Sequence, residues 1–107
     1  MDTLGELEQL VLLAVMQTGA GAYGVVVQAA IHRRAGRDLT LGTIYKTLSR
    51  LEVKGYVAGE IGEPTAERGG RAKRYYRVTA AGRRVLQHQL SSLRAMAAGL
   101  DIGLETP

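Results

Sequence analysis

The stretch "DLTLGTIYKTLSRLEVKGYV", residues 38–57, decides the fold. Its apolar residues recur at the i, i+4 and i+7 spacing of one helix side: Ile44, Leu48 and Leu51. The pattern predicts a helix with its N-cap at Thr40 and its end at Gly55. The opposite side is small, hydroxylated and cationic, with no acid before Glu52. Such a side fits a DNA groove, and the alternative is an ordinary amphipathic helix with a solvated basic side.

The outward side of this predicted helix carries the candidate DNA contacts. Gly42 lets the helix end approach closely, and Thr43 and Ser49 can hydrogen-bond phosphates or base edges. Lys46 and Arg50 supply charge, and arginine also pairs with guanine. The N-terminus of the helix offers free amides to a phosphate.

Two alternating runs follow, at 57–61 and 73–78, separated by an eleven-residue linker rich in glycine, proline, threonine and charge. They predict a β-hairpin with a long tip. The stretch "ERGGRAKRYYRVT", residues 67–79, puts two glycines among five basic residues: Arg68, Arg71, Lys73, Arg74 and Arg77. We interpret this segment as a wing whose tip bends towards a phosphate, with charge from Arg68, Arg71 and Lys73. Tyr76 is predicted to be core, and Tyr75 to point the other way.

Helical spacing also predicts a first helix over about 4–18, a second ending near Ala35, and a last one from a cap at Thr79 to about 98. The order is three helices, a hairpin and a longer helix. The predicted fold class is therefore mainly α with a two-stranded β-hairpin, a winged helix-turn-helix with a C-terminal dimerisation helix. We assign residues 1–79 to the DNA-binding domain, 80–100 to the dimerisation helix and 101–107 to a flexible tail.

Composition agrees with a small domain that meets a polyanion. The chain has 107 residues, no cysteine and a net charge of +4, so disulfides and thiolate chemistry are excluded. Residues 37–94 hold twelve basic side chains against five acidic ones, a balance of +7. The chain shows no leader pattern, and its longest apolar run, residues 10–16, is too short to span a bilayer. We expect a cytoplasmic protein.

The last predicted helix carries an apolar stripe that steps by 4, 3, 4 and 3: Leu86, Leu90, Leu93, Ala97 and Leu100. A domain of this size has little room to bury another long helix, and duplex DNA favours two-fold proteins. We therefore predict a homodimer through this helix, assisted by the first helix through Leu4, Leu7 and Val11. The alternative is that the last helix packs only on its own domain.

Four segments together resemble the PadR family of bacterial transcriptional regulators over residues 4–86: "LGELEQLVLLAV", "AYGVVVQAAI", "LTLGTIYKTLSRLEVKGYV" and "GEPTAERGGRAKRYYRVTAAGRRVL". The resemblance implies a dimeric winged-helix repressor that binds a palindromic operator. It also implies, by position, that one set of residues reads DNA: Thr40, Gly42, Thr43, Tyr45 and Lys46. Arg71 and Lys73 match the family's wing. The single C-terminal helix resembles the short branch of the family.

Other motifs are weaker. "GAGAYG", residues 19–24, matches a dinucleotide-binding G-x-G-x-x-G, but the upstream apolar period is helical and the chain is too short for the remaining strands. His32 and His88 lack the spacing of metal ligands, so we predict no metal site, no cofactor and no enzymatic activity.

Two alternatives to a DNA-binding repressor stay open. One is a winged-helix interaction module that uses its wing on an acidic partner, and the other a sensor with a small-molecule effector at the dimer interface.

Overall fold

Four α-helices and a two-stranded hairpin form the part of the chain that the computed structural model describes, residues 3–62 and 73–103. In chain order they are α1 (Glu6–Thr18), α2 (Gly24–Ala35), α3 (Leu41–Val53), β1 (Val57–Ile61), β2 (Arg74–Val78) and α4 (Ala80–Ala97), with a short 3₁₀ turn at Gly19–Gly21. The strands pair antiparallel, from Val57 opposite Val78 to Ile61 opposite Arg74. The predicted fold class is confirmed.

The helix starts follow from local capping. Thr40 precedes α3 in an extended conformation, and its Oγ1 accepts a hydrogen bond from the Thr43 amide at 3.1 Å, as predicted. α1 begins at Glu6, two residues later than predicted, because Gly5 is extended and donates its N–H to the Glu8 carboxylate at 2.9 Å. This bond satisfies an amide that the first turn cannot pair internally.

The core lies where α1, α2, α3 and the hairpin meet. Its fully buried side chains are aliphatic: Val11, Leu12, Val15, Val27, Ile44, Leu48 and Leu51. Tyr76 is also buried, as predicted. Burying a side chain of this size stabilises the folded protein by about 1.5–3 kcal/mol. The inward side of α3 buries three of them, Ile44, Leu48 and Leu51, and so stabilises the fold several times over.

The start of α4 is set by a close backbone approach. Thr79 Oγ1 accepts the Gly82 amide at 3.1 Å and donates to the Gly55 carbonyl at 2.6 Å. A Cβ on Gly82 would lie 2.2 Å from the carbonyl oxygen of Tyr56. Glycine therefore occupies the place of a capping-box glutamate because α4 docks directly on the turn between α3 and β1.

The first half of α4 is tied to the start of the chain, and its second half is not. The Gln89 side-chain amide donates to the Leu4 carbonyl at 2.7 Å and accepts from the Leu4 amide at 2.8 Å. The Cα radius of gyration is 15.3 Å, against about 13 Å expected for a compact chain of this length. The excess agrees with a helix that extends beyond the body.

Glu8 joins α1 to the end of α3. Its side chain is buried to 6% exposure and accepts a bond from the Lys54 ammonium at 2.9 Å. Burial alone would raise the pKa of this carboxyl, but the Gly5 amide, the Lys54 ammonium and the field of Arg50 outweigh it and hold the pKa of Glu8 below its ordinary value.

We expect Glu8→Gln to lower stability at pH 7 by about 1–2 kcal/mol, because a buried charge-assisted bond is lost. A carboxyl whose folded pKa is lowered stabilises the protein above its unfolded value, about 4.3, and loses that contribution as pH falls through the folded value. Urea unfolding at a series of pH values should therefore show a smaller acid loss in Glu8→Gln than in the wild type. Glu6→Gln, an exposed neighbour, is the control, and equal acid losses for Glu8→Gln and the wild type would contradict this account.

Candidate nucleic-acid interface

One side of α3 points away from the core. Along it five predicted contacts are exposed: Gly42, Tyr45, Lys46, Ser49 and Arg50. Thr43 is half-buried on the flank. The inward side, with Ile44 and Leu48 at zero exposure, determines this orientation, because rotating the helix would put leucines in water.

The threonines at the start of α3, Thr40 and Thr43, form hydrogen bonds that stabilise the first turn of the helix. Thr40 Oγ1 donates to Thr43 Oγ1 at 3.0 Å while it accepts the Thr43 amide. A threonine hydroxyl has one donor and two acceptor positions. The Thr40 hydroxyl is thus engaged in the cap, and the Thr43 hydroxyl pairs with it.

Tyr45 leans from α3 onto the N-terminus of α2. A Cβ on Gly24 would lie 2.3 Å from the Tyr45 ring, so only glycine leaves room for this side chain. The tyrosine stays 41% exposed. The last glycine of the G-x-G-x-x-G match therefore accommodates an aromatic ring from the outward side of α3.

The base of the wing packs on Tyr23, the residue before α2. The Lys73 ammonium lies 4.4 Å from the centre of the Tyr23 ring and donates to its hydroxyl at 3.3 Å. Tyr75 meets the same ring edge-on at 5.5 Å. Arg68 and Arg71, the other predicted wing contacts, lie outside the described residues, as does most of the predicted wing 62–73.

Two cations of the basic stretch hold the hairpin together. The Arg74 guanidinium pairs with Glu52 of α3, and this carboxylate raises the pKa of Arg74 above its ordinary value. Arg77 lies 3.6 Å from Glu60 on the neighbouring strand. Carboxylates therefore face both arginines, and the Glu52–Arg74 pair links β2 to α3.

Sequence reasoning missed Tyr23, Gly24 and the Glu52–Arg74 pair. Tyr23 is the first residue of the apolar pattern at 23, 26, 27, 30 and 31 that predicts the second helix, and this pattern does not indicate a contact with the hairpin. Glu52 and Arg74 are far apart in sequence, so their pairing needs the folded chain. The one signal in the sequence was the Tyr23–Gly24 pair at the end of the G-x-G-x-x-G match, and that match suggested a nucleotide-binding motif instead.

The predicted dimer residues divide into two groups. Leu4, Val11 and Leu86 are buried at 5%, 1% and 3% exposure in the chain's own core, so assigning them to a dimer contact is corrected. All three belong to the buried hydrophobic cluster of the chain. Leu7 and Ala97 are half-buried. The outer half of α4 leaves Leu90, Leu93 and Met96 exposed, and Leu100, which lies beyond the end of the helix, is exposed as well.

Within residues 3–62 and 73–103, no group of three histidine, cysteine, aspartate or glutamate side chains is arranged to hold a metal ion. Over the same ranges, no helix has the length and apolar character needed to cross a membrane. His32 is exposed and lies 2.6 Å from Asp38, and His88 is exposed on α4.

A helix-turn-helix whose third helix presents a cationic outward side, followed by a hairpin with a basic base, defines the winged helix-turn-helix class of DNA-binding folds. Within that class, the chain belongs to the PadR-like family of transcriptional regulators, whose family model matches residues 12–88. It is a regulator of transcription and not an enzyme.

Solved structures agree. A PadR family transcriptional regulator from Eggerthella lenta DSM 2243 is 30% identical, over 95% of this chain and 88% of its own, with a TM-score of 0.67. A transcriptional regulator from Clostridium thermocellum is 20% identical over 92% and 90%, at 0.71. A PadR-like regulator from Bacillus cereus strain ATCC 14579 is 21% identical over 94% and 93%, at 0.69. The last two support the fold alone. Comparison with curated protein sequences gives no match.

We expect Gly24→Ala to lower stability by about 1 kcal/mol, because the added methyl group must displace the Tyr45 ring. In a Tyr45→Ala background the same change should be neutral or stabilising, since alanine favours the helix by up to about 1 kcal/mol. Urea unfolding of the four proteins measures the coupling. Gly42→Ala, where a Cβ meets nothing closer than 3.9 Å, is the control. An equal effect of Gly24→Ala in both backgrounds would show that the ring does not occupy this space.

Proposed function

We propose that this regulator is a repressor that binds a palindromic operator as a homodimer, with the recognition helix 40–54 in the major groove and the wing 62–73 on the adjacent backbone or minor groove. One observation carries the proposal. Tyr45 of α3 and Lys73 of the wing base contact consecutive residues, Gly24 and Tyr23. The two surfaces therefore meet at one side of the molecule, where a single duplex can contact both.

Charge on that side supports nucleic acid over an acidic protein partner. The outward side of α3 carries Lys46 and Arg50 and no acid before Glu52. A surface of this kind attracts phosphates, while hydroxyls and an arginine add contacts that distinguish base edges. Because a transcriptional regulator must reach DNA inside the cell, we propose that the protein acts in the cytoplasm.

The outer half of α4 supports pairing of two copies. Leu93 and Met96 on α4 are 57% and 79% exposed, and Leu100, three residues beyond the end of the helix, is 64% exposed. On α1, Leu10 and Leu13 are only partly covered and line a groove of about 220 Å³ together with Ala30 and Ile31. Apolar side chains that one copy leaves exposed to water can be buried by a second copy. A two-fold pair also presents two recognition helices to successive major grooves about 34–36 Å apart.

We retain the division into residues 1–79 for DNA binding, 80–100 for dimerisation and 101–107 for the tail as part of this proposal.

Lys46→Ala should weaken binding to duplex DNA by a similar factor for all sequences and reduce the steepness of log K against log salt by about 0.9, the share of one phosphate contact. Fluorescence anisotropy with a labelled duplex at several salt concentrations measures both quantities. Arg84→Ala, which removes an exposed cation from α4, should leave the slope unchanged. Binding that does not depend on salt, or no duplex binding at low salt, would reject the DNA-contact proposal.

Replacing Leu90 and Leu93 with aspartate should produce monomers in sedimentation velocity, because two like charges would face each other across the pair. The helix content should stay the same, since both side chains are exposed in one copy. Arg94→Asp changes the charge by the same amount as the two leucine substitutions together, at a neighbouring exposed position, and should keep the dimer. A dimer mass for the double leucine variant would end the assignment of the interface to α4.

A further inference from the structure

Glu52 and Arg74 connect the recognition helix to the last pair of strand residues before the wing. Glu52 is the one acid of α3 and its next-to-last residue. Arg74 is the first residue of β2 and lies opposite Ile61, the last residue of β1. In the chain, the wing 62–73 joins these two residues. The ion pair between Glu52 and Arg74 therefore links the two surfaces that the proposed function assigns to one duplex.

The Arg74 side chain reaches α3 by crossing over Gly59 of β1. A Cβ on Gly59 would lie 2.7–2.8 Å from three atoms of the guanidinium group: one terminal nitrogen, Cζ and Nε. The φ angle of Gly59 is not positive, so any residue can adopt this backbone conformation. Glycine at this position therefore makes room for the guanidinium, because a larger residue would block its path to Glu52.

The ring of Tyr76 contacts the same guanidinium. Arg74 Cζ lies 5.6 Å from the ring centre, and Tyr76 is held in the core at 6% exposure. A planar guanidinium stacks on an aromatic face and also bonds a carboxylate. The fixed ring and the Glu52 carboxylate thus restrict Arg74 to one arrangement across the hairpin.

The pair affects placement more than stability. Its side chains stay 41% exposed for Arg74 and 35% exposed for Glu52, and an exposed ion pair adds little to the stability of a fold. The pair does restrain β2, from which the wing begins, relative to α3. Two surfaces already held in place lose less freedom when they bind a duplex together, and the affinity is higher for that reason.

We propose that the Glu52–Arg74 pair positions the wing for DNA by fixing the end of the hairpin against the recognition helix. The inference rests on the proposed function, which assigns both surfaces to the duplex. It predicts an effect opposite in sign to simple electrostatics. An acid beside a phosphate-binding surface repels the duplex, so its removal ordinarily strengthens binding, whereas the removal of Glu52 weakens binding because the wing is released.

The first test compares the removal of two acids. Wild type, Glu52→Gln and Glu60→Gln are titrated into a labelled random-sequence duplex of about 30 base pairs, long enough for two half-sites. Glu52→Gln should weaken binding about two- to fivefold, the effect of one lost ion pair. Glu60→Gln is the matched control: it removes the same charge from the Glu60–Arg77 pair, which joins β1 to β2, and should bind equally or more tightly.

The same substitutions in an Arg74→Met background separate positioning from charge. Without the guanidinium, Glu52→Gln should bind equally or more tightly, because only the repulsion of the carboxylate is removed. Gly59→Ala changes no charge, but its methyl group displaces the guanidinium. It should weaken binding about two- to fivefold when Arg74 is present and leave binding unchanged in Arg74→Met.

Each outcome of these titrations bears on the inference. Binding by Glu52→Gln that equals or exceeds the wild type would overturn it, as would an equal loss in Glu60→Gln. A loss from Gly59→Ala of the same size in both backgrounds would also overturn it. Circular dichroism at the titration temperature checks that every variant is folded, so that a loss of affinity reports on binding and not on unfolding.

A measurement without DNA keeps this inference distinct from the proposed function. Urea unfolding of wild type, Glu52→Gln, Arg74→Met and the double variant should show a coupling of about two- to fivefold in the unfolding constant. If the coupling is present but the wild type binds no duplex, the proposed function fails and the inference fails with it, while the pair stands. If the wild type binds duplex and Glu52→Gln binds as Glu60→Gln does, the proposed function stands and the pair does not position the wing.

Discussion

The burial of one side of α3 is the constraint on which the rest of the molecule depends. Ile44, Leu48 and Leu51 are fully covered by the core, and no rotation of the helix keeps them covered in another way. The opposite side must therefore face outward, and its glycine, hydroxyls and cations are displayed as a consequence. The surface that we propose meets DNA is thus determined by the free energy of burying three aliphatic side chains, each worth about 1.5–3 kcal/mol.

The basic side chains of the hairpin contact different kinds of group. Arg74 and Arg77 face Glu52 on α3 and Glu60 on β1. The Lys73 ammonium lies over the Tyr23 ring. A basic stretch that looks uniform in sequence is therefore divided by its tertiary contacts.

α4 also has two halves with different partners. Its start docks on the turn after α3 through Gly82, and Gln89 pairs with the backbone of Leu4. Beyond this point the helix leaves the body, with its leucines uncovered. The first half thus belongs to the core, and only the second half offers surface for a second copy. The heptad-like stripe runs through both halves without marking the change, which is why Leu86 belongs with the core and Leu93 does not.

The sequence by itself determined the order of elements, the caps at Thr40 and Thr79, the buried side of α3 and the core position of Tyr76, because periodicity and capping are local properties of the chain. Helical spacing also located outward residues of α3, Gly42, Lys46, Ser49 and Arg50, and the resemblance to the PadR family added Tyr45. Only the tertiary structure decided that Tyr23 contacts Lys73, that Gly24 makes room for Tyr45, that Arg74 pairs with Glu52, and that Leu4 and Val11 are core. These facts depend on contacts between residues far apart in the chain, and such contacts exist only once the helices and the hairpin have packed together.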